Sequence, residues 1–160
     1  PSYLHLPPPR RCGRILAEEG GDIMKLNHNC VRDVLLYLES VPYIETNCDG
    51  DMEFTGVALD SICEALPEYA AEVIFYTLFE LDDGGHISLS AGSADDVIEN
   101  CCVNYITYAG HEFLNTIRAN PTWEKTLDIA GEIGNFSLRI LEKIAEGVAA
   151  AVIKQKLGLP

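Results

Sequence analysis

The apolar residues change their spacing several times along the chain, and the order of these spacings constrains the fold more than any other feature. Apolar positions recur every three or four residues, as in amphipathic helices, in three segments: 29–40, 59–66 and 68–81. Apolar and polar residues alternate, as in half-buried strands, in 86–90 and 103–106. Residues 52–55 are a further short strand candidate. The pattern predicts the order helix, short strand, helix, helix, hairpin, helix.

The junction between the hairpin and the last helix of this series has the clearest local logic. Thr107 follows the strand-like run and is a good N-cap for a helix that begins with Gly110 in its first turn. Gly110 allows close packing at the junction, while Phe113 and Leu114 are expected to enter the core. Pro67 similarly suits the first position of the helix predicted over residues 68–81.

This element order predicts an α+β, mostly helical fold with a winged helix-turn-helix core at residues 24–120. Segments 59–66 and 68–81 would form the helix-turn-helix pair, and residues 84–106 the two-stranded wing. The loop of the wing is expected at 92–96. Residues 121–160 are expected to form a C-terminal helical appendage.

Cations are missing from most of this module. No lysine or arginine occurs between Arg32 and Arg118, whereas the same 85 residues contain 17 aspartates and glutamates. This stretch therefore contributes −17, and the remaining residues bring the formal net charge of the chain to −14. A DNA duplex is bound mainly by cations placed against phosphates, so the charge argues against nucleic acid and favours a basic partner surface.

The third helix and the wing carry the acidic residues that we take as the candidate interaction surface. These are Glu68, Glu72, Glu80, Asp82, Asp95 and Asp96. One interpretation is a face that binds a protein partner, and the other is a solvated acidic face without a partner. DNA binding as a dimer through Lys25, Arg32 and Arg118 is the alternative function.

Catalytic and metal-binding patterns are weak throughout the sequence. His111 and Glu112 are the best candidates for a base or metal site, but no H-E-x-x-H motif accompanies them, and a structural role at the junction is favoured. The turn at residues 47–51 resembles a calcium loop but has Ala58 where the twelfth-position glutamate belongs. We therefore expect no enzymatic activity, no cofactor and no metal.

The last helix, expected over residues 137–157, carries a broad apolar stripe. Leu141, Ile144, Val148 and Val152 repeat at three- and four-residue steps, as in a seam between helices. Self-association into a dimer is the favoured interpretation, packing within the chain comes second, and contact with a membrane surface is least favoured.

The first 23 residues differ from the rest in lacking an apolar period and in containing three consecutive prolines. We expect a disordered leader. The run 18–22 ahead of Met24 would be encoded by purine-rich codons like those of a bacterial ribosome-binding site, which leads to the hypothesis that the leader is translated upstream sequence and Met24 the natural start. No secretory signal pattern is present, and the cysteines form no C-x-x-C pair, which favours a reducing cytoplasm.

Several blocks of the sequence resemble an uncharacterised family of small bacterial and prophage proteins, a domain of unknown function. The resemblance covers residues 24–159 and is carried by the blocks 24–39, 74–78, 106–118, 123–126 and 134–138. It implies a winged-helix core, a phage or bacterial setting and no assigned activity. Combined with the charge, it favours a non-enzymatic protein that acts through an acidic surface, for instance by inhibiting a host DNA-binding protein.

Overall fold

The computed structural model describes residues 25–94, 97–134 and 137–159. Within them the helices are α1 His28–Ser40, α2 Leu59–Ala65, α3 Ala71–Asp83, α4 Tyr108–Ile117, α5 Asn120–Ile133 and α6 Leu138–Leu157. The strands are β1 Ile44–Thr46, β2 Met52–Phe54, β3 Val57–Ala58, β4 Ile87–Ala94 and β5 Val97–Ile106. The fold is α+β and of the winged-helix-like class, as the sequence predicts.

The wing is the β4–β5 hairpin, and β3 joins it to give an antiparallel sheet of order β3-β5-β4. The predicted short strand at 52–55 is not the third strand of this sheet. β2 instead pairs with β1 in a separate hairpin, with Ile44 opposite Phe54, and both of its strands are exposed. β3, which lies opposite Val103 and Cys102 of β5, was not predicted.

Two boundaries differ from the sequence-based prediction. Residues 67–70 form a turn, and α3 begins at Ala71 rather than at Pro67 or Glu68, with Ala70 as its N-cap. Gly92 lies within β4 and pairs with Glu99, so the loop predicted at 92–96 is shorter.

The predicted junction between the wing and α4 is confirmed. Thr107 Oγ1 accepts a hydrogen bond from the backbone N–H of Gly110 at 3.1 Å and donates one to Gly85 O at 2.6 Å. A Cβ on Gly110 would lie 2.0 Å from the backbone oxygen of His86, so only glycine fits there. Phe113 and Leu114 are buried, with exposed fractions of 5% and 0%.

One hydrophobic cluster joins the module to the appendage. It contains Leu35 of α1 and Leu78 of α3, together with Trp123 of α5 and Leu141 and Ala145 of α6. α6 packs on α5 and α4. The C-terminal helices therefore share the core of the winged-helix module.

Candidate functional site

α3 is the helix that a winged-helix protein would present to a partner, and its two faces differ sharply. Ile74, Leu78 and Leu81 are fully buried in the core. On the other side Glu72 is exposed, and Phe79 keeps 49% of its surface exposed. The partly buried ring of Phe75 lies 5.8 Å from that of Phe79, centroid to centroid. The solvent side of α3 is thus both acidic and aromatic.

The residues of the predicted acidic surface have different roles. Glu68 is exposed in the turn before α3, and Glu72 is exposed on the helix itself. Glu80 forms a hydrogen bond with Tyr76. Partial burial is the main reason why the pKa of the Tyr76 hydroxyl is raised, and this hydrogen bond is the second. Asp82 Oδ1 accepts a hydrogen bond from the backbone N–H of Leu89 at 2.8 Å, which ties α3 to the wing. Asp95 and Asp96 lie outside the described residues.

A groove lies between the start of α3, the start of α2 and strand β5, and we call it the α3–β5 groove. Its volume is about 600 Å³, and it is lined by Ala58, Leu59, Asp60, Ala71, Glu72, Phe75, Ile98, Asn100 and Cys101. No lysine or arginine is among the lining residues, whereas Asp60 and Glu72 are both carboxylates. Ile98 keeps 49% of its surface exposed. The groove is therefore apolar with acidic margins.

The β5 wall of the groove is irregular. The pairing with β4 shifts register between Ser90 and Gly92, and Asn100 on β5 has a φ of 53°, in the left-handed region that asparagine tolerates better than most residues. Such a bulge bends a strand and increases its twist. Burial raises the pKa of the neighbouring Cys101 thiol, with smaller contributions from Cys102 and Cys63, so Cys101 is a poor nucleophile.

The two arginines that border the cation-free stretch are engaged within the chain. Arg32 donates from Nε to Ile117 O at 3.0 Å and from Nη2 to Arg118 O at 2.7 Å. It therefore satisfies carbonyls at the C-terminus of α4, where a cation is also favourable for the helix dipole. Its guanidinium carbon lies 5.9 Å from the Trp123 ring centroid.

Arg118 forms a two-bond contact with Glu39, from Nη1 to Oε2 and from Nη2 to Oε1, both at 2.6 Å. The hydrogen bond to Arg118 is the main reason why the pKa of Glu39 is lowered. Two of the three cations that a DNA-binding dimer would use are thus held in contacts between α1 and α4.

His111 and His86 each lie beside one carboxylate. His111 Nδ1 lies 3.9 Å from Glu39 Oε1, a long contact on a partly exposed residue. His86 is 3% exposed, and its Nε2 lies 3.1 Å from Glu142 Oε1 on α6. Across residues 25–94, 97–134 and 137–159 no group of three or more potential ligands could hold a metal ion.

The loop that resembles a calcium site is a hydrogen-bonded turn. Asn47 Oδ1 accepts from the backbone N–H groups of Asp49 at 3.0 Å and Asp51 at 2.9 Å. Asn47 Nδ2 donates to Glu53 Oε1 at 2.7 Å. Asn47 therefore closes the turn with its side-chain oxygen and links it to Glu53 on β2 with its side-chain nitrogen.

The apolar stripe of α6 is divided between the inside and the outside of the chain. Leu141 and Val148 have exposed fractions of 0% and 4%, whereas Ile144 and Val152 are only partly buried. Leu141 and Val148 are thus covered within the chain, in keeping with the packing of α6 on α4 and α5. Self-association through the stripe stays a prediction, and Ile144 and Val152 are the two of its four residues that keep exposed surface.

No helix in the described part of the chain combines the length and the apolarity that crossing a membrane requires.

A family model described as "Hypothetical protein (DUF2513)" matches residues 25–136. The chain belongs to the DUF2513 family. This confirms the resemblance to a domain of unknown function. The DUF2513 match includes α1 to α5 and the α3–β5 groove, and it ends before α6. No curated protein and no solved structure matches the chain.

Proposed function

We propose that this protein is a non-enzymatic interaction module whose acidic and aromatic α3 face binds a basic surface of another protein. The observation that carries the proposal is the charge of that face. Residues 33–117 contain no lysine or arginine, yet Glu72 and Phe79 occupy the exposed side of the helix that winged-helix proteins commonly present to DNA. Carboxylates attract a cationic protein surface and repel phosphates.

An exposed aromatic ring adds a second reason to favour a protein partner. Phe79 is half exposed, and its ring lies tilted against that of Phe75, which itself lines the groove. Aromatic residues are enriched at the centres of protein interfaces, where they supply most of the binding energy. A solvated acidic face without a partner has no need of them.

The more specific form of the proposal is that the partner is a DNA-binding protein of a bacterial host and that the protein is phage- or prophage-encoded. A basic patch is the electrostatic footprint of a DNA-binding site, and an acidic face of this kind would compete with DNA for it. The alternative, a regulator that itself binds DNA, is disfavoured because Arg32 and Arg118 are used in internal contacts.

The test is a capture experiment from bacterial lysate with the immobilised wild-type chain and a charge-reversed variant. We expect wild-type protein to retain DNA-binding proteins that short duplex DNA displaces, and Glu72→Lys with Phe79→Ser to lose them. A matched control reverses Glu124 and Asp128 on α5, both exposed and distant from α3 in sequence. Equal capture by all three proteins, or captured proteins that duplex DNA does not displace, would contradict the proposal.

A further inference from the structure

The end of α6 is an apolar surface that the described part of the chain leaves exposed. Val148 is the last buried residue of the helix, and beyond it Ile153, Leu157 and Leu159 have exposed fractions of 57%, 66% and 56%. We call residues 152–159 the α6 tail. A short helical end without packing is marginally stable in water, and a cluster of exposed apolar side chains is typical of an interaction surface.

The α6 tail is also basic. Lys154 and Lys156 lie among its apolar residues, and no aspartate or glutamate occurs after Glu146. Lysines near a helix C-terminus favour the helix dipole, which explains one role for them within the helix. The charge of the tail is nevertheless opposite to that of residues 33–117, which contain no lysine or arginine.

The α3–β5 groove has the complementary chemistry. Its floor is apolar, with Phe75 and Ile98, and its acidic groups are Asp60 and Glu72. An amphipathic helix commonly docks in such a groove by placing residues four apart into it, and Ile153 and Leu157 have that spacing. Flanking lysines would then meet the carboxylates.

We propose that the α6 tail of one copy docks in the α3–β5 groove of a second copy. Among the described residues of one chain, both the tail and the groove keep exposed apolar surface: Leu157 keeps 66% and Ile98 49% of their surfaces exposed. The earlier part of α6 is held in the core by Leu141 and Ala145, so the helix end is fixed in place rather than able to fold back. In a dimer, the tail of each copy would occupy the groove of the other.

Charge also decides against a dimer formed by contact between two grooves. Such a contact would bring Asp60 and Glu72 of both copies together without any cation between them, and like charges at an interface weaken association. The exchange of tails instead pairs opposite charges at each contact. This inference does not depend on the proposed function, although a partner that binds through Glu72 would compete with the docked tail.

The test uses two full-length variants with opposite charge changes. In Asp60→Lys/Glu72→Lys the groove and the tail are both basic, and in Lys154→Glu/Lys156→Glu both are acidic. Wild-type protein should be a dimer by sedimentation velocity at tens of micromolar, and each variant alone should dimerise about tenfold more weakly or worse. An equimolar mixture of the two variants should restore the dimer, because each tail then meets a groove of opposite charge.

The controls are Lys143→Glu, an exposed lysine earlier on α6, and the Glu124→Lys/Asp128→Lys change on α5. Both should dimerise like wild type, and circular dichroism should show all variants folded. A monomeric wild-type chain, variants that still dimerise alone, or a mixture that stays monomeric would overturn the inference. Capture of a heterologous partner does not enter this readout, so the two proposals fail separately.

Discussion

Replacing Phe113 by alanine tests the junction on which the whole module depends. Phe113 is 5% exposed on α4, and its ring centroid lies 5.3 Å from that of the buried His86. Removing a ring from such a site costs about 3–5 kcal/mol of unfolding free energy, through lost transfer energy and the cavity left behind. His86 Nδ1 is buried and has no hydrogen-bond partner among the residues that the structure describes. Water entering the new cavity can bond to it, so we expect the lower end of that range.

Urea and thermal denaturation of the wild-type and variant chains measure this cost. For a chain of this length the loss corresponds to a fall in Tm of roughly 6–20 °C. Tyr108→Ala is the matched control, because Tyr108 begins the same helix but is 81% exposed. A loss below about 1 kcal/mol for Phe113→Ala, or an equal loss for Tyr108→Ala, would refute the packing of the wing against α4.

Three further predictions concern backbone fit, pH and DNA. Gly110→Ala should cost more than about 3 kcal/mol of unfolding free energy or prevent folding, because its Cβ would lie 2.0 Å from His86 O. Gly147→Ala should instead stabilise α6 by about 0.4–1 kcal/mol in the same denaturation assay, because its Cβ would meet no atom of the described residues within 4 Å. Glu39→Gln should cost below about 1 kcal/mol at neutral pH, since the contact with Arg118 is solvent-exposed. The hydrogen bond to Arg118 lowers the pKa of Glu39 from its ordinary value of 4.5. The stability that the ionised Glu39 contributes should therefore be present above pH 4.5 and disappear as the pH falls through the lowered pKa and the carboxylate is protonated. Gel-shift titration should show no non-specific duplex binding at physiological salt, and micromolar, salt-sensitive binding would contradict the charge argument.

The features that the sequence predicts well are those in which local and long-range requirements agree. At the end of the wing, strand alternation, the cap at Thr107, Gly110 and the apolar pair that follows all indicate one arrangement, and the structure has it. Short-range chemistry is sufficient there. The N-cap of α1 was not predicted: the helix begins at His28, one residue before the predicted start, and Asn27 Oδ1 accepts hydrogen bonds from Asn29 N at 3.1 Å and Cys30 N at 3.2 Å.

The sequence predicts β2 but neither β1 nor the pairing of the two strands, because neither strand has a buried face. Ile44, Met52 and Phe54 are 47%, 81% and 66% exposed, so no alternation between core and solvent marks the strands. The pairing is instead fixed by the turn around Asn47 and by the contact of the Phe54 ring with Tyr105 of β5, at 5.8 Å. The second of these depends on the completed fold.

The α3–β5 groove also depends on tertiary structure. The sequence indicates that Glu72 is exposed, but it does not bring Asp60, Ile98 and Asn100 to the same place, because they come from different elements. The bulge that includes Asn100 has no sequence signature other than an asparagine within a strand. The groove cannot be located from the sequence alone, because its position depends on the register of the sheet.

The two arginines show why a residue's charge does not indicate its role. From sequence, Arg32 and Arg118 are the only cations at the borders of the acidic stretch, and a DNA contact is a reasonable hypothesis. In the structure their donors are taken up by carbonyls at the end of α4 and by Glu39. A guanidinium that satisfies two carbonyls cannot leave them for a phosphate without leaving those acceptors unpaired, which itself costs free energy.

α6 illustrates the same limit within a single helix. Apolar residues recur at three- and four-residue steps from Leu141 to Leu157, so the sequence pattern does not distinguish a buried part of the helix from an exposed part. The structure divides it after Val148, because α4 and α5 cover the helix up to that residue and leave Ile153 and Leu157 exposed. Removing residues 137–160 would therefore strip the core as well as any dimer contact, and a resulting monomer would not identify the interface. Only a change confined to the α6 tail separates the two roles, which is why opposite charges on tail and groove are the informative perturbation.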